Sequence, residues 1–380
     1  MKKKLAQLAD ENLLRSPLEV ESAFGAKLTI KGKPVTCFCS NDYLGLAGDA
    51  QVKQAVCDAV QKWGLGASAS RLISGTQSVH RDLERAIASL KKTDDALLTS
   101  TGWVANQAAI SALTGPGDLI LSDKLNHASI IEAAQSSKAR LRSYHHRDMT
   151  RLESLLKKHR AEHDRCLIVT DSLFSMDGDF APLAELVELK NRYNARLMID
   201  DAHAFGVFGK TGAGAGEYFE LSDQIDLTVG TLSKAVGSVG GFVASAKPVI
   251  DLMRSTAKSY IYTTALPACV CAGSLKSLEI IRTDPTRREH LHMLANWLCD
   301  KLKSAGLDIL DTQSQIIPVV VGRTEDALRI SAQLLEAGFL VPAIRPPTVP
   351  KGSSRLRIGL SASHTIEDVR ALFDAISANA

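Results

Sequence analysis

Between residues 50 and 285, short continuous apolar runs alternate with helix-like segments at intervals of 20 to 35 residues, and nothing else restricts the fold as tightly. Runs such as Leu167-Ile-Val169 and Leu197-Met-Ile199 offer no polar face to water. They suit strands covered on both sides, as in a parallel sheet sandwiched by helices, better than the alternating strands of a solvated sheet. Strands are expected over 96–100, 118–122, 140–144, 166–170, 196–199, 227–230 and 241–245, and helices over Ala50–Trp63 and 79–92. The expected class is α/β: a large domain with a mostly parallel, seven-stranded sheet, a small C-terminal α+β domain and a short N-terminal segment.

The boundaries fall where the texture changes. Residues 1–45 read as a helix and a short hairpin, with strands over 27–30 and 34–38 about a turn at 31–33. Residues 46–285 form the large domain. Residues 286–380 read as helix 286–305, strand 315–322, helix 324–337, strands 339–344 and 355–360, and helix 366–376. With 380 residues, 45% of them apolar, a sizeable core is expected. A net charge of +3 spread along the chain points to neither a nucleic-acid nor a membrane partner. Seven cysteines without paired CxxC motifs or a histidine-spaced cluster read as reduced, packed thiols of a cytoplasmic protein with no metal site. The start Met1-Lys-Lys-Lys is not followed by an apolar stretch, and no run nears the ~18 residues of a membrane span.

In a sheet of this kind ligands bind beyond the carboxyl ends of the strands. Useful side chains gather there: His127 after Leu119-Ile-Leu-Ser122, Asp171 and Ser175 after Leu167-Ile-Val-Thr170, Asp200 and His203 after Leu197-Met-Ile199, and Lys234 after Leu227-Thr-Val-Gly230. A lysine there can carry a Schiff base, and a nearby carboxylate can hold a pyridinium nitrogen; with hydroxyl-rich loops for a phosphate, these are the parts that pyridoxal phosphate (PLP) needs. The helix expected to open at Gly102 is a candidate phosphate seat, although Ser100 or Thr101 also suits ordinary capping. His127 fits equally a satisfied core histidine or a ring stacked on the cofactor. Residues 64–76, small and hydroxyl-rich, are expected to pack against the site. The glycine-rich stretch 209–216 fails both the P-loop and the dinucleotide spacing and reads as a flexible surface loop.

The runs Ser40-Asn-Asp-Tyr-Leu-Gly-Leu46, Ser70-Arg-Leu-Ile-Ser-Gly-Thr76, Asn126-His-Ala-Ser129, Phe174-Ser-Met-Asp-Gly-Asp179, Asp200-Asp-Ala-His203, Thr231-Leu-Ser-Lys234 and Arg345-Pro-Pro-Thr-Val-Pro350 keep their order along nearly the whole chain. Together the chain resembles the α-oxoamine synthases, fold-type I PLP-dependent transferases, and the last run is most similar to the branch serving biotin biosynthesis. That resemblance implies Lys234 as cofactor anchor and base, Asp200 at the pyridinium nitrogen, His203 and Ser175 at the phenolic oxygen, and His127 over the ring. It further implies Gly102, Trp103 and Thr231 at the phosphate, joined by Thr263 or Thr264 of a second subunit, and hence a homodimer. Arg357 would clamp the amino-acid carboxylate with help from Asn41, and Arg15, Arg345 and Thr348 would meet the acyl substrate. The implied reaction condenses L-alanine with a pimeloyl thioester, on CoA or acyl-carrier protein. A glycine-using relative, glycine C-acetyltransferase, shares most of these motifs, and a PLP-binding protein without turnover is the alternative from another class. Ala67-Ser-Ala69 and Leu266-Pro-Ala268 depart modestly from the family pattern.

Overall fold

The computed structural model describes residues 2–10, 13–14, 17–22 and 25–379. An antiparallel hairpin, β1 (Lys27–Ile30) and β2 (Lys33–Cys37), precedes the central sheet. That sheet has seven strands: β3 (Asp95–Thr99), β4 (Leu119–Asp123), β5 (Arg140–Tyr144), β6 (Cys166–Asp171), β7 (Arg196–Asp200), β8 (Leu227–Thr231) and β9 (Gly241–Ser245). Four strands follow, β10 (Ile316–Gly322), β11 (Phe339–Leu340), β12 (Ala343–Ile344) and β13 (Ser354–Gly359).

The central order is β3-β9-β8-β7-β6-β4-β5. Strands β5, β4, β6, β7 and β8 run parallel, and β9 is antiparallel to both of its neighbours. Residues 232–240 between β8 and β9 are too few for a crossover helix, so the chain must turn straight back. The second reversal returns β3 to the direction of β8, and its carboxyl end joins the same rim. Gly241 makes the approach possible, because a Cβ there would strike the Thr101 carbonyl and the Gly102 amide.

Every residue of β4, β6, β8 and β9 is buried. Successive side chains go to opposite faces: Leu97 and Ile120 join a cluster with Ala105, Ala108 and Met253, whereas Leu98, Leu119 and Leu121 join one with Leu83, Ile87 and Leu186. The helices Gly102–Leu113 and Lys247–Thr256 cover the first face, and Ser78–Lys91 and Leu183–Arg192 the second. The second cluster also takes in Ile316, Leu356 and Ile358 from the antiparallel sheet β10-β13-β12.

Three expectations change. The strand expected over 339–344 is split: β11 pairs with β2 and β12 with β13. Pro342 stands at the break, and a residue without an N–H cannot continue a ladder as donor. The stretch 209–216 is no flexible surface loop, since residues 212–216 are buried. Its small residues let backbone reach polar core groups: Lys91 Nζ donates to the Ala213 carbonyl at 2.5 Å and the Ala215 amide donates to Asp201 at 3.1 Å. Within 64–76, Arg71 is buried on Glu84, but Leu72 and Ile73 are 51% and 82% exposed and the segment does not line its own chain's cavity.

Candidate active site

Strand β7 delivers Asp200 to the rim, where the Ala202 amide donates to its Oδ1 at 3.0 Å and turns the chain toward His203. His203 is buried between two partners, Lys234 Nζ at 2.7 Å from Nε2 and the Tyr43 hydroxyl at 2.6 Å from Nδ1. Tyr43 spends its single proton on Asn41 Oδ1 at 3.1 Å, so it accepts from His203 Nδ1–H. The network therefore assigns the tautomer: Nε2 is the acceptor that faces Lys234. Burial pushes His203 well below the usual histidine range, helped by the cations of Lys234 and Arg357, so the ring is neutral. Burial likewise lowers the Lys234 amine to about 8, although Asp200 and Asp171 pull it upward. A lysine so placed reaches its nucleophilic, uncharged form near neutral pH.

Facing them, His127 caps the helix Ala128–Ser136 at the end of β4. Its backbone amide donates to Asp171 Oδ2 at 2.9 Å, its Nδ1 lies 2.8 Å from Ser129 Oγ, and its ring meets Trp103 edge-on at 5.9 Å. Burial lowers His127, whereas burial and the neighbouring Asp200 push Asp171 well above the usual carboxylate range. At the mouth of the helix Gly102–Leu113, Thr101 Oγ1 accepts the Val104 amide at 3.2 Å. The Gly102 and Trp103 amides have no acceptor among the described residues and lie beside the Thr231 and Ser233 hydroxyls, which are 2.6 Å apart. This is the anion-binding end of a helix dipole.

One cavity of about 190 Å³ brings together Lys234, Asp200, His203, His127, Ser175, Thr231, Gly102 and Trp103. Arg357 on β13 borders it from the other sheet, its Nε donating to the Ser175 carbonyl at 2.6 Å and its Nη2 to Asn41 Oδ1 at 3.4 Å. Other expected residues do not converge here. Thr263 and Thr264 line a separate hollow with Arg71 and Ser100, Arg345 and Thr348 sit together outside the cavity, and Arg15 lies outside the described residues. The sequence reading passed over Asn106, which donates to Asp200, and Gln315, which donates to the His203 carbonyl at 2.9 Å. For Asn106 a signal existed, a polar residue among the core-facing alanines 105, 108 and 109.

The aminotransferase class I and II family matches residues 33–376. The 8-amino-7-oxononanoate synthase of Geobacter sulfurreducens is 44% identical, over 96% of this chain and 94% of its own length. Among solved structures, a serine palmitoyltransferase with PLP superposes at a TM-score of 0.94 with 32% identity, covering 100% of this chain and 96% of the other. The 8-amino-7-oxononanoate synthase of Francisella tularensis superposes at 0.79 with 28% identity, covering 90% and 97%. The cavity fits PLP, the cofactor bound in that serine palmitoyltransferase: an amine lowered to about 8, a buried carboxylate opposite and open amides at a helix mouth are the chemistry that an aldehyde, a ring nitrogen and a phosphate would require. On sequence, fold and the chemistry of this cavity, the chain belongs to the 8-amino-7-oxononanoate synthases, PLP-dependent acyltransferases of the aminotransferase class I and II family.

Proposed function

We propose that this chain condenses L-alanine with a pimeloyl thioester, carried by CoA or acyl-carrier protein, to 8-amino-7-oxononanoate, carbon dioxide and free thiol, a step of biotin biosynthesis. The observation that carries the reading is the half-buried Lys234 amine, 2.7 Å from a neutral His203 in the cavity that holds Asp200. Lys234 would anchor the cofactor aldehyde, and its amine is placed to take the substrate α-proton and later to return one. PLP bound here supplies the electron-accepting ring that stabilises charge at the α-carbon. Asp200 would hold the ring nitrogen, His127 would pack against the ring, His203 and Ser175 would serve the phenolic oxygen, and Gly102, Trp103 and Thr231 would hold the phosphate. Arg357, steadied by Ser175 and Asn41, orients the amino-acid carboxylate. Positioned proton transfer by Lys234 contributes roughly 10²- to 10⁴-fold to the rate. Arg15, Arg345 and Thr348 complete the reading on the acyl side.

A homodimer belongs to the same proposal. Thr263 and Thr264 lie away from their own chain's cavity, and Leu72, Ile73 and Tyr262 present apolar surface at 51%, 82% and 81% exposure, which a second copy would cover. So do the division at residues 45 and 285 and a cytoplasmic location; no helix among the described residues is long and apolar enough to cross a membrane.

Two measurements test the reading. Borohydride reduction of the holoenzyme followed by peptide sequencing should label Lys234; a label elsewhere, or none, overturns the cofactor assignment. Thiol release measured for alanine, glycine and serine against acetyl, pimeloyl and palmitoyl thioesters should favour alanine with pimeloyl. Preference for glycine with acetyl-CoA would assign the chain to the glycine C-acetyltransferases instead.

A further inference from the structure

Asn106 is 1% exposed, on the helix Gly102–Leu113 below the cavity. Its Nδ2 donates to Asp200 Oδ2 at 2.6 Å and to Ser129 Oγ at 2.9 Å, so both amide hydrogens are used. The flipped amide would set an oxygen 2.6 Å from a carboxylate oxygen with no proton between them, which fixes the orientation seen. The arrangement leaves Asn106 Oδ1 buried without a partner among the described residues. A leucine of the same size would remove the orphaned oxygen but leave Asp200 Oδ2 without its buried donor, so the amide is kept for its hydrogens rather than its oxygen. Its two hydrogens serve the site.

The chain of donors continues. Ser129 Oγ accepts from Asn106 and keeps its own hydrogen for His127 Nδ1 at 2.8 Å, while the Ser129 amide also points at Nδ1 from 3.3 Å. Nδ1 is then an acceptor, and a neutral imidazole must carry its proton on Nε2. On the other branch Asp200 is held at both oxygens, by Asn106 at Oδ2 and by the Ala202 amide at Oδ1.

We propose that Asn106 is a positioning residue for two cofactor-facing groups at once: it orients the Asp200 carboxylate and, through Ser129, holds His127 as the Nε2–H tautomer. The inference rests on the reading of this cavity as the PLP site. Asn106 plays the part for the carboxylate and the ring that an outer-shell partner plays for a metal ligand.

The test uses full-length protein and two readouts besides turnover. The first is the His127 tautomer in apoenzyme, from ¹⁵N NMR of histidine-labelled protein with the resonance assigned through His127→Asn. The second is PLP affinity, from quenching of intrinsic fluorescence. Wild type should show Nε2–H. Asn106→Leu should mix the tautomers and weaken PLP roughly ten- to a hundredfold, the loss of one hydrogen bond to a charged group. Ser129→Ala should mix the tautomers but leave most of the PLP affinity, because the bond from Asn106 to Asp200 survives. An Nδ1–H wild-type ring overturns the tautomer half without any variant, and so does an unchanged ring in Ser129→Ala. PLP affinity unchanged in folded Asn106→Leu overturns the Asp200 half, and if Asn106→Leu does not fold, Asn106→Ala is read in the same way. A wild type that does not bind PLP sinks the proposed function instead, and the apoenzyme tautomer still decides on Asn106.

Discussion

Directly beneath the site, Lys91 and Asp201 form an ion pair with side chains 4% and 0% exposed, Nζ 2.7 Å from Oδ2. Asp201 is bonded in sequence to Asp200, and three separate parts of the chain hold its carboxylate: Lys91 at the end of the helix Ser78–Lys91, Ser172 just after β6 at 2.7 Å, and the Ala215 amide at 3.1 Å. Lys91 also caps the Ala213 carbonyl and lies 5.5 Å from the Phe205 ring centroid. Lys91→Met keeps the length and the packing but removes the charge. It leaves a buried carboxylate facing an apolar thioether and strips the Ala213 carbonyl of its donor. Breaking a buried pair from one side costs about 3–5 kcal/mol, whereas removing both charges together costs much less. Urea unfolding at one fixed protein concentration reads the difference, with the midpoint reporting stability as long as the slope is unchanged. Lys91→Met and Asp201→Asn should each lose about 3–5 kcal/mol, and the double variant should lose less than either single variant, far short of their sum. Because the pair pins the turn that carries Asp200 and His203, both single variants should also bind PLP less tightly. A loss under about 1 kcal/mol for Lys91→Met, or full additivity in the double variant, would refute the argument.

Burial works against charge on His146, but its contacts to Asp123 at 3.3 Å and Asp179 at 2.9 Å outweigh it and raise the ring from 6.5 to about 9. A raised histidine stabilises fully below its unfolded value and loses that contribution as pH climbs through the folded one, so up to about 3 kcal/mol should disappear between pH 6.5 and about 9. Stability measured against pH should slope down over that window in the wild type and flatten in His146→Gln; parallel curves would contradict the assignment. Gly178 sits at φ +72°, and a Cβ there would collide with the Ile316 carbonyl and the Thr312 hydroxyl. Gly178→Ala should therefore cost about 3 kcal/mol or more, visible as a lower melting temperature, and turnover should fall because Ser175 rides on the same turn. Lys234, lowered to about 8, should capture PLP as the neutral amine, so the apoenzyme's capture rate should rise with pH and level off above about 8. Stopped-flow absorbance would show it, and a rate flat from pH 6.5 to 9 would mean that another group limits capture.

What the sequence discloses and what it hides divide by the range of the interaction. The strand ends were legible because burial on both faces leaves continuous apolar runs such as Leu119-Ile-Leu121, Leu167-Ile-Val169 and Leu197-Met-Ile199, and the chemically useful polar side chains follow those runs at the rim; Asp200, His203 and Lys234 were found by their place just beyond such strands. Ala50–Trp63, Arg140–Tyr144 and Gly241–Ser245 have the bounds that local pattern predicts, since apolar periodicity and breakers act over a few residues. The break at Pro342 was readable in principle, yet β11 and β12 serve different sheets, and a partner in another sheet leaves no local trace. The glycine-rich stretch misled for a related reason. Small residues look like a flexible loop until the groups they approach are known; of the partners here, Lys91 lies 122 residues from Ala213, and Asp201, only 14 residues before Ala215, reaches it through the turn that follows β7. Asn106 lies between what is disclosed and what is hidden, because its place among the alanines 105, 108 and 109 marks it as core-facing, but only the meeting of that helix with β7 turns it into the donor that Asp200 requires. Resemblance supplied roles at the rim; it could not supply the polar layer beneath, where a carboxylate's direction and a ring's tautomer depend on which donors the fold happens to bring within 3 Å.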